Sequence, residues 1–176
     1  MGKNLFNLAY KNYINFGFGK GKSFFVVFRN EYFFEAQLSI AEEKQLPVVI
    51  HSVRATGEVI QQLRKRPSLT GMIHSYSGSY EQALQLIELG FYLSFGGAIT
   101  YTRAHKLRNM VSKLPLSALL IETDAPDQPD ATHTHQRNEP AYLNEVLTAL
   151  SHLKHEQASV IAQHAISNTQ TLFKLT

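Results

Sequence analysis

Three potential metal ligands each close an apolar run in this chain. His51 follows PVVI, His74 follows GMI, and Asp124 follows LLIET. Short runs rich in Val, Ile and Leu, bounded by Pro, Gly or an amphipathic stretch, read as strands buried on both faces, as in parallel α/β sheets. Ligands at the carboxyl ends of successive parallel strands converge on one rim, where such folds keep their chemistry. Imidazole nitrogen and carboxylate oxygen together suit a divalent cation such as zinc, magnesium or manganese. Other residues near these strand ends offer polar groups. Ser52, Arg54, Ser75 and Ser77 could donate hydrogen bonds to a bound phosphate, although Ser beside a strand end serves equally well as a helix cap. Glu122 alternates with Ile121 and Thr123 and could orient a histidine from behind. His133 and His135 form a His-x-His pair in a polar loop, without strand geometry to fix them.

The elements that must position these groups begin at residue 31. Residues 31–46 carry apolar side chains at Phe33, Phe34, Leu38, Ile40, Ala41 and Leu46, one helical stripe that Pro47 stops. Helices are also expected over residues 56–65, 80–89 and 102–114, alternating with strands over 48–53, around Met72 and Ile73, over 91–95 and over 116–124. Ser79 with Gln82 three residues on has the form of a capping box, and Gly90 suits a left-handed helix end. Residues 138–153 and 158–165 read as closing helices, with Pro140 at a first helical position and Ser167–Asn168 starting a separate short turn. Four strand–helix units in strict alternation predict neighbouring parallel strands joined by right-handed crossovers.

Composition narrows the class. The chain has 176 residues, enough for one buried core, and no cysteine, which removes disulfides and thiolate metal sites. The absence of thiols fits a reducing, cytoplasmic setting. No apolar stretch approaches the roughly 20 residues of a membrane helix. The formal charge of +3 is uneven. Residues 1–30 hold Lys3, Lys11, Lys20, Lys22 and Arg29 with no acid, so the rest of the chain is slightly acidic. Net charge therefore gives no ground to infer a phosphate-gripping surface on the body, and the sequence is silent on it. The leader, residues 1–30, lacks a clear period and is expected to be poorly ordered. Its Gly17, Gly19 and Gly21 are spaced neither as a Walker loop nor as a dinucleotide fingerprint. Its basic and aromatic mixture could stack on single-stranded nucleic acid.

PVVIHS, GMIHSYSGS, LGFYLSFGGAITYTRA, LLIETDAP and NEP at 138–140 resemble the TatD family of metal-dependent deoxyribonucleases, most of all its YjjV-like branch. The resemblance runs from about residue 32 to residue 175. It implies an α/β fold of the (β/α)8 TIM-barrel type, with about the second half, four βα units, in residues 31–176. It further implies that His51, His74 and Asp124 are metal ligands, with two divalent ions in the intact family site. Asp124 would also be the catalytic acceptor of a water proton, and Ser52, Arg54 and Ser77 would be substrate-binding residues. The family's His-x-His pair and its Glu-bearing strand have no counterpart here, which reads as a chain lacking the first half of the barrel behind a non-homologous leader. The implied activity is ester hydrolysis, with DNA or another phosphodiester as partner and substrate. Amide or lactone hydrolysis stays open within the same chemistry. Two alternatives stand beside it: a catalytically inactive half-barrel remnant, and an interaction module that uses the leader. A half-barrel would leave strand edges and an apolar inner face open, which predicts self-association, with SFFVVF the nearby segment able to cover one edge.

Overall fold

A computed structural model describes residues 24–27 and 31–175; of the leader, only the backbone of residues 24–27 falls within them. The glycine-rich stretch at residues 17–21 and most of the basic aromatic segment lie outside the described residues. Five parallel strands form one sheet in the order β1-β2-β3-β4-β5. They are β1 (Phe24–Val27), β2 (Val48–His51), β3 (Gly71–His74), β4 (Phe91–Phe95) and β5 (Leu119–Ile121). The helices are α1 (Glu31–Glu43), α2 (Thr56–Arg64), α3 (Tyr80–Glu88), α4 (His105–Lys113), α5 (Leu143–Lys154) and α6 (Ala158–Phe173). The four strands expected in the body are neighbours and parallel. A fifth, taken from SFFVVF, pairs in register with β2, Val27 opposite His51.

Strand alternation divides the apolar side chains between two faces. Val48, Ile50, Ile73 and Leu93 join Phe34, Leu38, Val59, Leu63, Leu86 and Leu150 in the larger core, which holds the helices to the sheet. Val49, Met72 and Leu120 occupy the opposite face and pack with Leu172 of α6. This second face was expected to lie open. Instead Val49, Met72 and Leu120 are all buried, so among the described residues this face gives no support to self-association. Gly71 permits the close approach of β2 and β3, since a Cβ there would stand 2.4 Å from the Val48 carbonyl oxygen.

Local signals act as their chemistry requires. The Ser79 hydroxyl accepts from the Gln82 N–H, and the Gln82 side chain accepts from the Ser79 N–H, closing both sides of the capping box. Gly90 has φ of 82°, a conformation that only glycine adopts without steric cost. Two expectations need correction. The last strand is shorter than residues 116–124, because Leu116–Ala118 forms a 3-10 turn and the ladder ends when Glu122 N–H donates to Phe95 O. The final helix is also continuous to Phe173, because Asn168 does not break it. Its side chain leaves the helix to donate to Leu116 O and Leu119 O, both at 2.8 Å. Among the described residues, no helix is long and apolar enough to cross a membrane.

Candidate active site at the strand ends

Parallel pairing sets His51 directly opposite His74 at the ends of β2 and β3. Their Nδ1 atoms are 3.4 Å apart, with ring planes tilted by 41°. His74 Nε2 lies 3.3 Å from Glu122 Oε2 and 3.4 Å from Asp124 Oδ1. One neutral scheme satisfies all three contacts. His74 carries its proton on Nε2 and faces the carboxylates, while His51 donates from Nδ1 to the bare Nδ1 of His74. Keeping both rings neutral avoids two adjacent imidazolium charges. Burial, and secondly the neighbouring His74, hold His51 below the usual histidine range, while Asp124 pulls the other way.

Glu122 is the deepest acid of the group. Burial pushes its carboxyl above the usual carboxylate range, against the opposing pull of His74 and Ser94. Ser94 is fully buried on β4. Its hydroxyl accepts from Ser75 N–H at 3.1 Å and donates to Glu122 Oε2. Glu122 Oε1 is buried without a hydrogen-bond partner. Asp124 is more open, with 29% of its side chain exposed. It has φ of 62°, and Gln128 Nε2 donates to its Oδ2. The segment around it is fastened by Asn138, 3% exposed. Asn138 Nδ2 donates to Thr123 O, to Asp127 O at 2.7 Å and to Gln128 O at 3.2 Å.

The donor types fit a divalent cation. Two nitrogens on one tetrahedral zinc ion, each at about 2.0–2.1 Å, stand roughly 3.3–3.4 Å apart, which is the His51–His74 separation. Asp124 meets the other nitrogen of His74, so the third donor does not share that edge. Among the described residues, no group of three or more His, Asp or Glu side chains is arranged to hold one ion. The set therefore supplies two converging nitrogens, an exposed carboxylate, and a buried carboxylate oxygen that lacks a donor.

The three polar residues suggested for substrate fall together. Ser52, Arg54 and Ser77 line one cavity of about 370 Å³. Arg54 has a left-handed backbone, φ 55°. The Ser52 hydroxyl is engaged by Thr56 Oγ1 at 3.2 Å, so it also ties the strand end to the start of α2. His133 does not join the cluster's ligands. Its Nδ1 is 2.8 Å from Asp130 Oδ2, and its ring stacks on Tyr142 with centroids 3.6 Å apart. Asn138 does not open a helix as expected: Pro140–Tyr142 is a 3-10 turn and α5 begins only at Leu143, while Asn138 is the clamp on the Asp124 segment. Ser94 and Gln128 escaped sequence reasoning. A lone hydroxyl inside FYLSF was the available signal for Ser94; Gln128 gave none.

Parallel βα units with imidazole and carboxylate side chains at the strand carboxyl ends are the architecture of barrel-type α/β enzymes. The chain belongs to the TatD related DNase family, whose model matches residues 26–174. That match begins inside the segment assigned to the leader. The chain is 40% identical over 148 residues to the uncharacterized metal-dependent hydrolase YjjV of Escherichia coli K12, covering 84% of this chain and 57% of that protein. It is 32% identical over 155 residues to the 3'-5' ssDNA/RNA exonuclease TatD of Citrobacter rodentium, covering 83% of this chain and 58% of that one. The crystal structure of YjjV from E. coli K12 superposes with a TM-score of 0.79 at 34% identity, covering 86% of this chain and 62% of that chain. The chain thus spans a little under three fifths of the length of the curated relatives it matches.

Proposed function

We propose that this chain is a metal-dependent hydrolase of phosphodiester bonds in single-stranded nucleic acid. The observation that carries the reading is the gathering of His51, His74 and Asp124, from three separate strand ends, into one contact chain with 3.4 Å spacings. The strands that hold them are taken as the later part of a (β/α)8 barrel, which suits five parallel strands in the order of the chain. The exonuclease named among the relatives points to the substrate class.

On this reading His51 and His74 would supply two nitrogens to a divalent ion, with zinc, magnesium or manganese all compatible, and Asp124 would have to turn from His74 Nε2 to add a carboxylate oxygen. Such an ion supplies Lewis acidity toward a phosphoryl oxygen and makes water a better nucleophile near neutral pH. Glu122 fixes the orientation of His74 from the buried side, and Ser94 fixes Glu122. Asp124, held at Oδ2 by Gln128 and partly open to solvent, is the exposed carboxylate of the group and the one that would take the water's proton once its Oδ1 leaves His74 Nε2. Ser52, Arg54 and Ser77 offer donors to the phosphate from the adjoining cavity.

Hydrolysis of bis(p-nitrophenyl) phosphate by the purified full chain, with manganese or magnesium, tests this. Turnover should disappear in EDTA and fall by about 10²-fold or more in Asp124→Asn, the loss expected for a general base. Equal turnover with and without metal, or in the variant, overturns the reading. A catalytically inactive remnant is favoured by one observation, the lack of three convergent ligands among the described residues. Calorimetric titration with manganese separates the two, since the inactive form takes up no stoichiometric ion.

A further inference from the structure

The body of the chain is slightly acidic, yet its cations are not evenly spread. A groove of about 730 Å³ runs from the start of α3 along the length of α4, and Arg103, His105, Lys106 and Lys113 line it. No described acidic side chain lines it. Glu81, the acid that senses Lys113, lies on the exposed surface of α3. The cations come from α4 and the segment before it, the facing wall from residues 77–80 after β3. Residues 77–80 and 103–106 stand at the same carboxyl-end rim as His74, and the groove leads from there along α4 to Lys113.

Neighbouring cavities lie between the groove and the segment that holds Asp124. Arg103 and Ala104 border both the groove and a neighbouring cavity of about 380 Å³. That cavity reaches Gln128, whose side chain holds Asp124. A second cavity of about 140 Å³ is lined by Ser77 and Leu107, which also border the groove, and by the same Gln128. Aromatic faces accompany the charge. Lys113 Nζ stands 5.9 Å from the Tyr80 ring centre, and the Arg103 guanidinium 5.0 Å from that of Tyr101. A compact anion needs none of this length. A positive groove bordered by aromatic rings, starting on the rim that carries the candidate site, has the chemistry of a single strand of nucleic acid, whose phosphates meet cations and whose bases meet ring faces.

We infer that the groove carries the uncleaved stretch of a single-stranded nucleic acid substrate, with Arg103, Lys106 and Lys113 meeting its phosphates and Tyr80 one of its bases. The inference rests on the nucleic-acid reading of the site and adds where the strand lies. It places a phosphate-binding surface where net charge alone gave no reason to expect one.

The test is fluorescence anisotropy with a fluorescein-labelled oligothymidylate of about twelve nucleotides and the full chain in EDTA, so that binding is read without turnover. Each phosphate contact to a single strand adds about 0.7 to the slope of log affinity against log salt. Replacing two cations in Lys106→Gln/Lys113→Gln should therefore make the slope shallower by about 1.4. Between about 50 and 200 mM salt, the variant should lose roughly sevenfold less affinity than the wild type. Cations of residues 1–30 are common to both proteins and cancel in this difference. The paired variant Lys106→Arg/Lys113→Arg should keep the wild-type slope. Parallel slopes for the wild type and the Gln pair, loss of slope in the Arg pair, or no binding by the wild type would each overturn the inference. Failure of the catalytic reading shows separately, as absent metal-dependent turnover of bis(p-nitrophenyl) phosphate alongside intact oligonucleotide binding.

Discussion

Asn138 offers the sharpest test of how this fold holds Asp124. Its amide has two protons and faces three carbonyls, Thr123 O, Asp127 O and Gln128 O, in a site where the residue is 3% exposed. Asn138→Ala removes two buried donors and leaves carbonyl oxygens on both sides of Asp124 without them. A net hydrogen bond contributes about 0.5–1.5 kcal/mol, and a stranded buried acceptor costs about 1–3 kcal/mol, so the expected loss is roughly 2–4 kcal/mol. With a urea slope of about 2 kcal/mol per molar, the unfolding midpoint should fall by about 1–2 M with the slope unchanged. Asn138→Asp sharpens the test because it keeps the shape. It sets carboxylate oxygens against carbonyl oxygens, so it should cost at least as much as alanine at neutral pH and recover partly in acid. Urea unfolding followed by circular dichroism at both pH values reads these outcomes. An alanine variant within about 0.5 kcal/mol of wild type, or an aspartate variant as stable as wild type, would refute the clamp.

Gly97→Ala should lose about 1–3 kcal/mol in the same assay, since its Cβ would stand 2.6 Å from Gln128 O and 3.0 Å from Asp130 N; an unchanged midpoint would show that the loop has room. Leu63→Ala should cost about 2–5 kcal/mol by opening a cavity beneath a side chain only 1% exposed. Because the folded Glu122 carboxyl titrates above its unfolded value, its contribution is fully present below the unfolded value and is lost as pH rises through the folded one. Glu122→Gln in EDTA should therefore gain on wild type between acid and neutral pH, and urea midpoints that diverge the other way would contradict the buried-acid assignment.

The strands were legible because short runs of Val, Ile and Leu between Pro, Gly and amphipathic stretches suit a strand buried on both faces and little else. The capping box and Gly90 marked the limits of α3. The ends of β5 were not legible, because LSALLIETD continues apolar through Leu116–Ala118, where Pro115 opens a 3-10 turn instead. Nor was the continuity of α6. Asn168 looks like a breaker in sequence but spends its amide on carbonyls some fifty residues earlier. His51, His74 and Asp124 stood out by type and by position at strand ends. Their meeting depends on crossover handedness and sheet curvature, which single residues do not encode. The same limit hid the charged groove, since Tyr80 and Lys113 approach only through the packing of two helices.

The bonds from Asn168 to Leu116 O and Leu119 O also order events in time. Residues 116–119 leave the ribosome well before residue 168, with intervening separations of 52 and 49 residues. Until α6 arrives, those carbonyls keep water as their partner, and Leu120 lacks Leu172 beside it. The far end of the sheet is therefore a late-closing seam in the nascent chain. Until then β2, β3 and β4 can pair while the β5 end of the sheet stays uncovered.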